Sequence, residues 1–440
     1  MNFEKAGNLR ASTDWANLLH KHPPKTLFFT ILFMSTLLLI FLNFYLETDD
    51  ITFNHRILAS SIIILSLIPT LIWCLTTNVP LTIFPFFCLI HSLHYAFPIY
   101  MLPKISVHFT RERFDNSQWD EVLVLILFGM ICLLVGYYIP LLSSNFKNKF
   151  PRVKIIWNDE RRLEKFFIYC GILGILAVLF VHVEGMLTIP LSFRMIFNLM
   201  TDLTVFGIIF LFVLFLFRKN TTLGFFCLFL FFIFRVTFGL ANHSVGETLR
   251  LVLPLTVAYA CIRRRIPLLI LGSSLLFFLF LRPFKGAHIE EVMTGNIIVD
   301  LINFLEGAVD MFVSGQQSAF ESLRFSWYRL SYSGLFIHVM EWFPSSIPFW
   351  GGESYYPVFT KMIPRFLYPE KPMDEIVKDF GHMINLLNYH DFKTSVSLPS
   401  MVEFYLNFGK QGVYFGMFFF GIFIRLWDTL MVHREMGLGN

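Results

Sequence analysis

Residues 27 to 46 read L-F-F-T-I-L-F-M-S-T-L-L-L-I-F-L-N-F-Y-L, without a single charged side chain. A helix needs roughly 20 apolar residues to cross the hydrocarbon core of a bilayer, and this run supplies them. It begins too far from Met1, and is too long, to read as the core of a cleavable signal peptide. It is expected to stay in place as the first transmembrane helix.

Working outward from it, similar runs occupy 57 to 75, 122 to 142, 166 to 182, 198 to 217 and 221 to 240. Residues 79 to 101 read as a further span broken by Pro80, Pro85 and Pro98. Short spans at 249 to 262 and 266 to 281 flank Arg263, Arg264 and Arg265, and 411 to 430 is the last. The chain of 440 residues is 55% hydrophobic and 18% aromatic, with 55 Phe. Its charged share is 15%, against about 25% in soluble domains, and its mean hydropathy is +0.62. The expected class is an all-α polytopic membrane protein of about ten transmembrane helices, with spans almost purely aliphatic and Phe. A net charge of +4 is too small to imply nucleic acid as a partner. Cys74, Cys88, Cys132, Cys170, Cys227 and Cys261 all fall in apolar runs, where they read as packing residues and not as a disulfide or metal framework.

Lys and Arg collect in cytoplasmic loops. With the N-terminus inside, the inner segments hold Lys5, Arg10, Lys21 and Lys25, then a basic stretch from Lys147 to Lys165, then Arg218 and Lys219, then Arg263 to Arg265. Outer loops hold fewer: Arg56, then Lys104, Arg111 and Arg113, then Arg194. Both termini are thus expected in the cytoplasm and residues 282 to 410 outside. The resulting divisions are a bundle at 1–281, a large extracytoplasmic loop at 282–410, and a last helix with its tail at 411–440.

A loop of that length is expected to be functional. Within it, Asp300, Glu306 and Asp310 interrupt apolar residues at helical spacing over 296 to 313, which predicts an amphipathic helix at the membrane surface. A second helix is predicted over 319 to 342, with Glu321, Arg324 and Tyr328 on one face and Arg329 to the side. From 362 to 412 runs the chain's one long polar passage, where prolines are expected to set backbone direction without helix. Arg250, Arg282, Lys285, Arg324, Arg329, Arg365 and Lys371 all belong to the outer surface. Concentrated cations suit an anion, and Arg grips phosphate with two parallel hydrogen bonds, so a lipid-linked diphosphate is the natural ligand. Snorkelling of Arg250 and Arg282 to the headgroups is the plain alternative.

Two motifs carry a resemblance. I-P-R-F-L-Y-P-E-K-P at 363 to 372 is followed by E-F-Y-L-N-F-G-K-Q-G at 403 to 412, leading straight into a membrane helix. Upstream, G-E-T-L-R-L-V-L precedes a span, an R-R-R turn, another span and an Arg at its outer end. Together these resemble the bacterial oligosaccharide repeat unit polymerases, the O-antigen polymerase (Wzy-type) family. That family often continues one or two membrane helices past the N-F-G helix, whereas this sequence ends at Asn440. The resemblance implies a GT-C-like glycosyltransferase of the bacterial inner membrane, working at its outer face. It would transfer a growing glycan from polyprenyl diphosphate onto a lipid-linked oligosaccharide repeat unit for O-antigen, capsule or exopolysaccharide. A chain-length regulator and a flippase of the same pathway are expected as further partners.

Breaking a sugar–diphosphate bond builds negative charge on the leaving group, which fixed cations must meet. Arg365, Arg282, Arg324 and Arg250 are the ordered candidates, with Lys371 and Lys285 beside them. The acceptor hydroxyl needs a base, for which Glu403 leads and His338, His382 and His390 follow. Asn407, Gly409, Pro364 and Pro372 shape the motifs, Asn407 as a local cap and Gly409 for a tight backbone. The bland alternatives are a solvated turn for Arg365 and Lys371, and a structural ion pair for Glu403. No cofactor is expected, since P-loop and dinucleotide fingerprints are both missing from the sequence, and no metal, since HxxxH, HExxH and DxD patterns are missing from the outer loop. An O-antigen ligase with the same donor, and a lipid-linked oligosaccharide flippase, remain the competing functions.

Overall fold

In a bilayer every backbone N–H and C=O must be paired internally, and a single apolar segment achieves that only as a helix. The computed structural model describes residues 25–44, 52–75, 82–101, 114–139, 160–184, 191–217, 221–241, 331–356, 375–387 and 396–436, with single positions or short runs between 250 and 313 and at 360 and 368. The helices are α1 (Lys25–Phe44), α2 (Phe53–Leu75), α3 (Ile83–Tyr95), α4 (Phe97–Met101), α5 (Asn116–Tyr138), α6 (Glu160–Glu184), α7 (Leu191–Leu216), α8 (Thr222–Ala241), α9 (Ser333–Trp342), α10 (Glu375–Met383) and α11 (Ser400–Met436). The described residues contain no strand.

Among the described residues five helical runs are long and apolar enough to cross a membrane: Phe53–Leu75, Ile83–Tyr100, Asn116–Tyr138, Arg161–Phe180 and Thr222–Gly239. Phe28–Asn43 and Met200–Leu216 are shorter apolar runs. Of the short spans expected at 249 to 262 and 266 to 281, the described positions are helical and the rest lie outside the described residues. The proline-broken span forms because Pro85 and Pro98 sit in the first turns of α3 and α4, where a missing N–H costs little. Described positions between 299 and 313 are helical, as the amphipathic spacing predicts, and Val299, Ile302, Val309 and Val313 are exposed. The second predicted helix is seen from Ser333 to Trp342; residues 319–330 lie outside the described residues.

Packing divides the chain into two compact units, one holding residues 155–326 and the other 12–154 with 327–440. Helix α11 packs chiefly on α5, with smaller contacts to α3 and α9, and all of these lie in the second unit. In the first unit, α6, α7 and α8 bury Phe167, Ile168, Ile208, Leu211, Leu228 and Phe231. Buried Glu164 of α6 accepts from the Thr221 N–H (2.8 Å) and hydroxyl (3.0 Å), satisfying the start of α8.

In the second unit, α2, α3, α5, α9 and α11 share one core that includes Ile62, Phe84, Leu123, Met130, Phe336, Leu406 and Val413. Gly129, Gly136 and Gly421 let α5 and α11 approach closely: a Cβ at Gly136 would strike the Phe418 carbonyl, and one at Gly421 the Leu133 carbonyl. The helix ends sort into two groups. At one end Arg56 donates to the Asn43 carbonyl (2.7 Å), Tyr100 to the Arg56 carbonyl (3.0 Å) and Gln118 to Glu341 (3.1 Å), and Lys410 pairs with Glu121. At the other, Tyr137 donates to Asp428 (2.8 Å), and Arg425 lies 5.2 Å over the Tyr137 ring.

Two corrections concern the polar passage from 362 to 412. It contains helix α10, and a further helical arm from Ser400 precedes the break at Gly409, after which the helix expected from 411 follows. Helix α11 is broken at Gly409, whose φ of 67° and ψ of −156° suit glycine alone. The two arms fold back on each other: a Cβ added at Gly412 or Gly416 would collide with Phe404, so these glycines, one turn apart, make the notch that Phe404 fills. The sequence pattern conceals this hairpin because the first arm is short and punctuated by Glu403 and Asn407. Gly409→Ala should cost about 1–3 kcal/mol in backbone strain alone, with further crowding against the Phe349 ring 3.0 Å from the new Cβ. A thermal unfolding curve in detergent tests this; an unchanged midpoint would mean that the hairpin does not need the turn.

Candidate functional site

The first arm of α11 ends at the turn W-G-G-E-S-Y, residues 350 to 355. Helix C-termini leave carbonyls unpaired, and here the turn pairs them. The Trp350 N–H donates to the Leu406 carbonyl (2.9 Å) and the Gly351 N–H to the Asn407 carbonyl (3.1 Å). The Gly352 N–H donates to Asn407 Oδ1 (2.8 Å). Gly351 and Gly352 take positive φ, 60° and 104°, which is what turns three successive N–H groups toward the arm.

A hydrogen-bond chain then runs to Glu403. Asn407 Nδ2 donates to Ser354 Oγ (2.8 Å) and to the Glu403 carbonyl (2.8 Å), and Ser354 Oγ donates to Glu403 Oε1 (2.7 Å). Asn407 is almost fully buried and spends both its amide hydrogens and its oxygen here. It therefore does more than cap a helix: it fixes the rotor of Ser354 and through it one oxygen of Glu403. Among the described residues Glu403 Oε2 receives no hydrogen bond. Burial raises the Glu403 carboxyl above its ordinary range, with the Ser354 bond drawing it part of the way back. The neighbouring Tyr355 phenol is pushed up as well, by burial and then by the charge of Glu403.

Beside this cluster opens an apolar groove of about 540 Å³. Tyr355, Phe404 and Phe408 stand at one end, and Phe415, Phe419 and Phe423 continue it along one face of the second arm of α11 at four-residue spacing.

The remaining predicted residues distribute as follows. His338 is buried in α9, where Nε2–H donates to the Ile384 carbonyl (2.7 Å) and Nδ1 faces Glu341 (3.5 Å), so its hydrogen bonds tie α9 to the end of α10 and do not join the Glu403 chain. His382 lies in the last turn of α10. Arg250 belongs to the other unit and is exposed. Arg282, Lys285, Arg324, Arg365, Lys371, Pro364, Pro372 and His390 lie outside the described residues. Glu403, Asn407 and Gly409 are thus the predicted residues that the structure gathers, and Ser354 with Gly352 completes them. The signal for the missed pair was the G-G step in a polar turn of the outer segment. Among the described residues no group of three His, Cys, Asp or Glu side chains could hold a metal ion.

Neither the curated proteins nor the solved structures contain a match to this chain. Residues 119–431, which include the 350–355 turn and most of α11, match a family described as a domain of unknown function (DUF8712), and the chain belongs to that family.

Proposed function

We propose that this protein is a membrane glycosyltransferase that polymerises lipid-linked oligosaccharide repeat units, resembling the Wzy-type O-antigen polymerases. On this reading about ten helices cross the bacterial inner membrane in a GT-C-like arrangement, both termini are cytoplasmic, and 282–410 forms the outer catalytic segment. The end-sorting of helices in the second unit supports the topology: Arg56, Asn116–Glu121 and Lys410, which the basic-residue bias assigns to the outer side, gather at one end. The observation that carries the function is the Glu403 carboxylate, with one oxygen bonded by Ser354, the other without a hydrogen bond among the described residues, and Phe404 of the Phe-lined groove next to it in the chain. That arrangement suits a base waiting on a sugar hydroxyl beside a channel for a polyprenyl chain. Arg365, Arg282, Arg324, Arg250, Lys371 and Lys285 would hold the diphosphate, and the reaction needs no cofactor.

Deleting the gene tests this through the size distribution of surface glycan. Loss of long chains with one repeat unit retained supports the polymerase, whereas loss of all glycan from the lipid core means a ligase. A flippase is the second reading, favoured by the break at Gly409, since transporters use interrupted helices at their substrate sites. Accumulation of inward-facing lipid-linked units would establish it.

The raised Glu403 carboxyl gives a pH prediction. A base works deprotonated, and this group keeps its proton to higher pH than an ordinary carboxylate of about 4.3. Polymerisation should therefore fall on acidification before an ordinary carboxylate would protonate, and the midpoint in a pH–rate profile checks it. For folding the sign is opposite: a raised carboxyl favours the protonated state, so its stabilising contribution is lost as pH rises.

A further inference from the structure

Polar side chains were expected to stay out of the spans, yet His91, Ser92 and His94 lie in α3, with His91 and Ser92 buried. His91 stands eight residues along from Ile83, about 12 Å into the helix. Ionisable residues at such depth are costly and mark function by default. Two distant segments meet α3 here. The Tyr332 N–H donates to the His94 carbonyl (3.0 Å), and the Tyr332 and His94 rings lie 4.7 Å apart. The Tyr332 hydroxyl bonds Ser397 Oγ (2.8 Å), and Ser400 Oγ lies 3.5 Å from His91 Nε2. Because His91 Nδ1 donates to the Phe87 carbonyl (2.9 Å), a neutral imidazole leaves Nε2 as the acceptor for the Ser400 hydroxyl. Tyr95 adds a buried phenol whose oxygen has no hydrogen-bond partner among the described residues. That phenol lies within electrostatic reach of Tyr332.

The composition of this cluster selects its ligand. Among the described residues it holds hydroxyls and imidazoles, which both donate and accept, and aromatic faces, but no carboxylate, lysine or arginine. A diphosphate would find no fixed cation among these side chains, and an alkyl chain would offer the unpartnered Tyr95 hydroxyl nothing to bond, at a cost. A neutral sugar ring, with hydroxyls round its edge and an apolar face, satisfies both needs. His94, Tyr332, Ser397 and Ser400 are all partly open to a ligand. The position fits as well: Ser400 begins the arm that carries Glu403, and residues three apart share a helix face with Cβ atoms about 5–6 Å apart. That span is roughly one sugar ring.

We propose that His91, His94, Tyr95, Tyr332, Ser397 and Ser400 form a saccharide subsite that takes an uncharged sugar ring of the acceptor and presents its hydroxyl to Glu403. The assignment of that ring to the acceptor rests on the polymerase reading; the chemistry of the ligand does not.

The test is protection of His94 from acylation by diethyl pyrocarbonate, read by mass spectrometry on the purified full-length protein. The probe is the free glycan released by mild acid from the host's lipid-linked pool, with inorganic pyrophosphate as the comparison. Glycan at ten times its Kd should slow acylation roughly tenfold, and pyrophosphate should leave it unchanged. In the folded double variant Tyr332→Phe, Ser397→Ala, the glycan concentration for half-protection should rise about tenfold or more, through the loss of two hydrogen bonds. No protection by glycan, equal protection by pyrophosphate, or unaltered half-protection in the double variant would each overturn the subsite. Protection together with an unchanged glycan ladder in the deletion strain would keep the subsite and reject the polymerase; a lost ladder without protection would do the reverse.

Discussion

Glu403→Gln should reduce polymer formation about 10²- to 10⁴-fold, the usual worth of a positioned acid–base group, while the protein inserts and accumulates as before. Glutamine is the informative substitution because its amide oxygen can still accept the Ser354 hydroxyl that now reaches Glu403 Oε1 at 2.7 Å. The Asn407 bonds to Ser354 and to the residue-403 carbonyl are untouched, so the hairpin and the 350–355 turn should keep their geometry. Since burial already penalises the ionised carboxylate, removing its charge should not destabilise the fold at neutral pH. Glu403→Ala differs: Ser354 loses its acceptor in a buried site, and part of any activity loss would then be structural. Near-normal activity in the glutamine variant would assign Glu403 to holding the turn alone. The reaction and its profile would then need another base.

The second large effect concerns the leaving group. Arg365→Ala should abolish long-chain glycan, because one fixed donor at a developing charge is worth about 10²- to 10³-fold. Arg365→Lys should rescue poorly, since a single ammonium cannot reproduce the two parallel hydrogen bonds of a guanidinium on phosphate. The comparison separates a bidentate clamp from general electropositive character: equal activity of the Lys variant and the unaltered protein would leave only the latter. Normal polymer from Arg365→Ala would remove the diphosphate clamp. The I-P-R-F-L-Y-P-E-K-P motif that carries Arg365 lies largely outside the described residues, so this expectation stands on the sequence.

What the sequence made legible follows from the range over which each signal acts. The membrane-length helices are local patterns, so α2, α5, α6 and α8 stand close to the apolar runs. Pro85 and Pro98 announced a broken span, and the break falls between α3 and α4, at Ala96. Gly409 was readable as a tight backbone position, since its neighbours are helix formers and it is not. Contacts between distant segments were not readable. Nothing near Glu403 indicates that Ser354, 49 positions earlier, will hold its carboxylate. Still less does the sequence announce the approach of Ser400 to His91 across 309 positions. These pairings depend on the fold-back at Gly409, which carries the first arm of α11 alongside the second and brings its start to α3. A composition-based view that polarity is confined to the outer segment therefore missed the imidazoles of α3.

We propose that this protein joins lipid-linked repeat units at the Glu403 site. The most direct test is to incubate the purified protein in liposomes with polyprenyl diphosphate-linked repeat units extracted from a deletion strain, and to resolve the products by size. A ladder of longer lipid-linked glycans is expected with the unaltered protein and single units with Glu403→Gln. Single units from the unaltered protein, in liposomes where it remains folded, or the same ladder from both proteins, would contradict the proposal.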